Sequence, residues 1–254
     1  MRLKGKVAII TGAGSGMGRA AAKLFAAEGA KLAVNDYNST TLQKTVSAVQ
    51  AQGGEIIGMQ GNVAVQADAE SLIDAAFNTF GKIDILCNNA GVNDLYQGIG
   101  ELTIDVWERV LSINLNGPMF TSRRVVPIML KQGEGSIINI ASAASLGGGP
   151  AGVAYTVSKH GMLGLTRSTA WMYANKGIRC NAICPGGVET NIVKSSDITK
   201  ADPAAMERIN LYISIMPQIG KAIDIAHLAL FLASDESKFI NGAVISADAG
   251  WRAA

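Results

Sequence analysis

Near the start of the chain runs Val7-Ala8-Ile9-Ile10-Thr11-Gly12-Ala13-Gly14-Ser15-Gly16-Met17-Gly18, followed at once by the alanine-rich stretch Arg19 to Glu28. The first part is a short apolar run of strand type, and the last part has helical composition. Between them stand four glycines in seven positions. A backbone without Cβ atoms can approach a pyrophosphate closely, and the first turn of the following helix adds N–H groups and the positive end of its dipole. The spacing, with glycines at 12, 16 and 18, is G-x-x-x-G-x-G rather than the G-x-G-x-x-G dinucleotide fingerprint. A tight turn packed against a helix is the plain structural alternative, but such a turn seldom needs so many glycines.

The same alternation continues along the 254 residues. Strands are expected at Val7 to Thr11, Lys31 to Asn35, Glu55 to Gln60, Ile83 to Cys87, Ser136 to Ala141, Ile178 to Ile183 and Ala243 to Ser246. Their nearly continuous apolar content suits strands covered on both faces. Helices are expected at Gly16 to Glu28, Thr40 to Gln52, Gln66 to Phe80, Ile104 to Lys131, Val153 to Asn175 and Ile223 to Ala233. This is the pattern of repeated βαβ units, hence one α/β domain over 1–254 with a doubly wound parallel sheet. Gly147-Gly148-Gly149-Pro150 reads as a loop. The longest departure, about 185–217, holds a short helix around Pro203 to Tyr212 and has the length of a substrate loop.

Composition closes off other classes. The chain is 48% hydrophobic and 17% charged, which argues for a globule with a large core. A net charge of +2 gives no broad field for gripping a phosphate backbone, so nucleic acid is not expected as a partner. No run of apolar residues is long enough to span a membrane, and the apolar run at the start is too short for a signal-peptide core. Cys87, Cys180 and Cys184 form no C-x-x-C pair and His160 and His227 are the only histidines, so no metal site is expected and the compartment reads as reducing and cytoplasmic. His227 is expected in the core or at an interface.

Asp36 follows the second strand, eighteen residues beyond Gly18, close to the interval at which a carboxylate hydrogen-bonds a ribose 2′-OH. The same carboxylate repels a 2′-phosphate. Ser15, Tyr37 and Asn38 supply no cation for one, so NAD is favoured over NADP. Farther on, Tyr155 and Lys159 stand four apart in a helical stretch, which places them on one face, one turn apart. A nearby ammonium stabilises a phenolate, so the pair could handle the proton of a substrate hydroxyl. Ser142 leaves the strand before that helix, at the sheet edge where ligands bind. Asn88-Asn89-Ala90-Gly91 reaches the same edge, although a polar turn would look alike. Asn114 sits inside a helical stretch, where Asn is unfavourable and distorts the backbone or holds water.

Taken together, Thr11-Gly12-x-x-x-Gly16-x-Gly18, Asn88-Asn89-Ala90-Gly91, Asn114, Ser142, Tyr155-x-x-x-Lys159 and Pro185-Gly186 with Thr190 resemble the short-chain dehydrogenase/reductase family over essentially the whole chain. The resemblance implies a seven-stranded sheet in the order 3-2-1-4-5-6-7 and a homotetramer assembled through long helices and the last strand. It also implies Tyr155 as acid/base, with Lys159 lowering its pKa and holding the nicotinamide ribose. Ser142 would bind the substrate oxygen and Asn114 a water linked to Lys159. Cofactor contacts would come from Gly12, Ser15, Gly16, Met17, Gly18, Asp36, Asn62, Val63, Asn89, Ala90, Gly91, Pro185, Gly186, Val188 and Thr190. Asn62 stands where the family often has aspartate, and Ala247-Asp248-Ala249-Gly250 where it more usually has Asp-Gly-Gly.

The implied activity is hydride transfer between NAD(H) and a small-molecule alcohol or ketone. Residues expected around the substrate are Asn93, Leu95, Tyr96, Ala144, Leu146, Val153, Gly187, Val188 and Met216. They are mostly apolar, which favours a neutral secondary alcohol or ketone, although Lys194 and Arg208 could fold inward. The competing readings are a 3-oxoacyl carrier-protein reductase, which would need a basic docking patch, and a sugar or hydroxysteroid dehydrogenase. A non-catalytic dinucleotide sensor on the same fold is the reading of another class.

Overall fold

The structure, a computed structural model, describes residues 1–192 and 201–253. Seven parallel strands form one sheet in the order β3-β2-β1-β4-β5-β6-β7. They are β1 Val7–Thr11, β2 Lys31–Asp36, β3 Ile56–Gln60, β4 Ile85–Asn88, β5 Gly135–Ile140, β6 Ile178–Pro185 and β7 Val244–Ala247. The helices are α1 Gly16–Ala27, α2 Ser39–Gln50, α3 Gln66–Phe80, α4 Ile104–Leu111, α5 Gly117–Gln132, α6 Val153–Tyr173, α7 Pro203–Ile213 and α8 Ala222–Ala233. Alternate residues of β1 face opposite cores, as a strand period of two requires. Ala8 and Ile10 join Phe25 of α1 and Leu230 of α8 on one side, while Ile9 joins Ile73 of α3 and Val125 of α5 on the other. The direction in which strands are added to the sheet reverses between β3 and β4, so the connections leaving β1 and β4 run to opposite sides and leave a crevice at the C-terminal ends of these strands.

Two expectations about elements need correction. The single helix expected over 104–131 is two, α4 and α5, joined by a π-helical turn at Ser112–Asn116. The cause sits at its centre. Asn114 is fully buried and bonds outward to the loop after β4, so helical spacing gives way to a wider turn around it. The fourth strand starts at Ile85 rather than Ile83, because Ile83 bonds through both its N–H and its C=O to the side chain of Gln132. His227, expected in the core or at an interface, is exposed on α8 in this chain, so the core is excluded.

Candidate active site

The crevice beside β1 is a cleft of about 530 Å³. Its lining includes Gly12, Ser15, Gly16 and Met17 from the glycine turn, Asp36 from the end of β2, Asn62 and Val63 from beyond β3, and Asn89, Ala90, Gly91 and Thr190. Thr11 pins two of these segments together: its hydroxyl accepts the N–H groups of Asn89 and Ala90, each at 3.0 Å. Asn89 returns the bond through Nδ2 to the carbonyls of Thr11 and Gly12, at 2.9 and 3.1 Å. Gly12 is required twice over, since its φ is +65° and a Cβ there would stand 2.7 Å from Ala90 Cα. Gly18 faces the Gly12 carbonyl and closes helix against strand rather than lining the cleft. Ser15 caps α1 without bonding the first turn through its side chain, so the amides of that turn remain for a ligand.

Asp36 Oδ2 accepts the Gly14 N–H at 2.8 Å and Oδ1 accepts the Asn38 N–H at 2.9 Å, which fixes the carboxylate at the rim of the cleft. Arg19 lies behind the turn, its guanidinium given to the carbonyl of Gly14 and to Thr45. Among the described residues lining the cleft, Arg109 is the only cation, and it bonds the Asn93 carbonyl rather than facing Asp36. The donor set fits a dinucleotide: helix-end amides and glycine backbone for a pyrophosphate, and a fixed carboxylate for ribose hydroxyls.

The acid/base candidates gather beside Gly91, where a Cβ would meet Asn114 Oδ1 at 3.4 Å and Lys159 Nζ at 3.6 Å. Helix α6 carries Tyr155 and Lys159 on one face, and Lys159 Nζ sits 5.5 Å from the centre of the phenol ring. The ammonium donates to the Ile140 carbonyl at 2.9 Å, at the end of β5. Ser142, just past that strand, hydrogen-bonds the Tyr155 side chain. Its own position is held by a capping box, in which its Oγ accepts the Ala144 N–H and Ser145 Oγ accepts the Ser142 N–H. Asn114 accepts the Val92 N–H and donates to the Val92 carbonyl, both at 2.9 Å, and donates to Ser158 at 3.2 Å. Burial governs the electrostatics. It pushes the Tyr155 phenol up to about 12, against the Ser142 hydrogen bond, and pushes the Lys159 ammonium down to about 8.

Most of the residues singled out from the sequence meet here. Pro185, Gly186 and Val188 stand farther back: Gly186 donates to the Ala247 carbonyl at 3.0 Å and packs on Asp248, and Val188 forms a bridge with Gly220. Arg208 is exposed on α7, and Lys194 lies outside the described residues. Sequence reading missed Asp94 and Arg109. Asp94 stands between two residues assigned to the substrate wall, Asn93 and Leu95. A lone carboxylate flanked by apolar and amide residues was the available signal.

A family model described as "Enoyl-(Acyl carrier protein) reductase" matches residues 12–252. The chain is 42% identical over 251 residues to the short chain dehydrogenase adrF of Penicillium rubens, covering 96% of each. It is 38% identical to 3beta-hydroxysteroid dehydrogenase 2 of Eggerthella lenta, over 99% of this chain and 96% of that one. The crystal structure of levodione reductase superimposes with a TM-score of 0.91 at 36% identity, covering 100% of both chains. The chain belongs to the short-chain dehydrogenase/reductase family and is an oxidoreductase.

Proposed function

We propose that the protein is an NAD(H)-dependent dehydrogenase or carbonyl reductase acting on neutral secondary alcohols and ketones, with Tyr155 as its acid/base. The observation that carries this reading is the cluster of Ser142, Tyr155 and Lys159 beside Gly91, on a cleft with Asp36 at its rim. When bound, the nicotinamide supplies the hydride acceptor or donor. Tyr155 Oη takes the hydroxyl proton in alcohol oxidation and gives it back in carbonyl reduction. Ser142 holds the substrate oxygen beside the phenol. Lys159 stabilises the phenolate from one turn away and holds ribose hydroxyls, and Asn114 keeps the Gly91–Val92 backbone in place and orders a water beside Lys159.

NAD is favoured because Asp36 is fixed where a 2′-phosphate would stand, and because Arg109, the one cation among the described residues lining the cleft, is engaged elsewhere. A neutral, apolar substrate is favoured by Leu211, Ile215 and Ile219, which are exposed near Met216, itself packed on Gly187. The hydroxysteroid dehydrogenase among its relatives points the same way. The exposed Trp171 of α6 and Phe239 before β7 support assembly as a homotetramer, and three buried free thiols suit a reducing cytoplasm. Purified protein assayed with NAD and a panel of neutral secondary alcohols tests the reading. Turnover that disappears in Tyr155→Phe supports it. A panel without turnover, with acyl carrier-protein thioesters as the accepted substrates instead, overturns it.

A further inference from the structure

Helix α6 begins without a capping side chain of its own. Its N-cap is Gly152, and two N–H groups of its first turn, those of Val153 and Tyr155, go to another part of the chain. Asp94, in the loop after β4, accepts the Gly152 N–H through Oδ1 at 3.3 Å and the Tyr155 N–H through Oδ2 at 2.9 Å. Through Oδ1 it also accepts the N–H of Tyr96 at 3.0 Å. Tyr96 is held at φ +54°, in the left-handed region that tyrosine rarely adopts, and Asn93 donates to its hydroxyl. The Gln97 carbonyl accepts the Val153 N–H at 3.0 Å, so Asp94 and Gln97 together take the N–H groups of Gly152, Val153 and Tyr155. The carboxylate is 1% exposed, and Gly152 is needed because a Cβ there would meet its oxygens at 2.5 Å and 2.8 Å.

We propose that Asp94 is a positioning residue for Tyr155. Its buried carboxylate ties the first turn of the helix bearing the phenol to the Asn93–Gln97 segment of the substrate wall. This rests on the assignment of Tyr155 as acid/base and goes beyond it. In the absence of Asp94, a Ser or Thr cap at position 152 would serve the helix from within its own sequence. A carboxylate from another segment does more, because it sets where the Tyr155 backbone stands relative to the wall against which substrate packs.

The charge also acts on the phenol. Groups facing Tyr155 are Ser142 from the end of β5, Lys159 from its own helix, and Asp94 and Tyr96 from the loop, with Arg109 of α4 acting on Asp94. Asp94 disfavours the phenolate, as a like charge must.

The test is Asp94→Asn, which keeps the shape and removes the charge. In the cofactor-bound enzyme the Tyr155 ionisation is read as the phenolate absorbance difference between a protein and its Tyr155→Phe counterpart, with no need for turnover. The Asp94→Asn midpoint is expected to fall by roughly 0.5–1 pH unit. With a working alcohol substrate, kcat is expected to fall about tenfold or more, with the dissociation constant for NAD within about twofold of wild type. An unchanged midpoint with unchanged kcat overturns the proposal. Should Asp94→Asn fail to fold, Gly152→Ala keeps the carboxylate and displaces it from the Tyr155 amide. A fall in kcat with NAD affinity retained supports the proposal, and wild-type kcat overturns it. Wild-type protein with no phenolate signal and no turnover would instead sink the Tyr155 assignment itself.

Discussion

Lys159 Nζ lies 5.5 Å from the centre of the Tyr155 ring. Both groups are buried. Burial therefore holds the phenol neutral and weakens the ammonium, and the two charged forms are mutually supporting. In the proposed function this pair passes a proton between tyrosine and substrate, and its burial carries a cost to the fold.

That cost is measurable. The Lys159 pKa falls from 10.5 to about 8 on folding, so the folded chain binds fewer protons than the unfolded one between those values. Stability should accordingly rise with pH across that window, from this group's contribution. Below it, the buried charge costs roughly 3 kcal/mol by linkage. Lys159→Met is expected to gain part of that, about 1–3 kcal/mol, in urea unfolding at neutral pH while losing activity. A destabilised variant would contradict this.

For carbonyl reduction the working state has Tyr155 protonated and Lys159 charged. The phenol, at about 12, keeps its proton throughout the usual assay range, so only Lys159 titrates there. The kcat/KM for ketone reduction is expected to be flat below about pH 8 and to fall above it. A pH–rate profile still level well past that point would remove Lys159 from the titrating state.

Tyr155→Phe removes one oxygen from a ring packed among Val110, Ala144 and Ala154. Its kcat is expected to drop roughly 10²–10⁴-fold. Cofactor affinity, measured by quenching of intrinsic fluorescence, should remain within about twofold. A phenylalanine variant with full biological effect would favour the sensor reading.

The strands and the glycine turn were legible because their signals are local: apolar runs, glycine spacing, and Tyr155 and Lys159 one turn apart. The break at Ser112–Asn116 was legible only as an oddity, Asn114 in a helix, since its cause is a bond to Val92 from a different element. Asp94 was legible only as a lone carboxylate in the substrate wall, and its role as a cap was not. Its partners, Gly152 and Tyr155, are 58 and 61 positions away, and no periodicity reports a cap supplied from outside the helix.

Asp36 gives the cofactor prediction its sign. Asp36→Ala removes the carboxylate from the rim and leaves the Gly14 and Asn38 amides unpaired. NAD affinity is expected to weaken roughly 10- to 100-fold, as loss of a hydrogen bond to a charged group implies. NADP affinity should fall less or improve, narrowing the ratio between them.

The most direct measurement is the rate of loss of NADH absorbance with purified wild-type protein and a panel of neutral ketones, run beside NADPH. Oxidation of NADH at a rate well above that of NADPH is expected, with Asp36 as selector and Tyr155 as proton donor. Equal or faster oxidation of NADPH would contradict the role given to Asp36, and tight NADH binding without turnover on any ketone would contradict the catalytic reading.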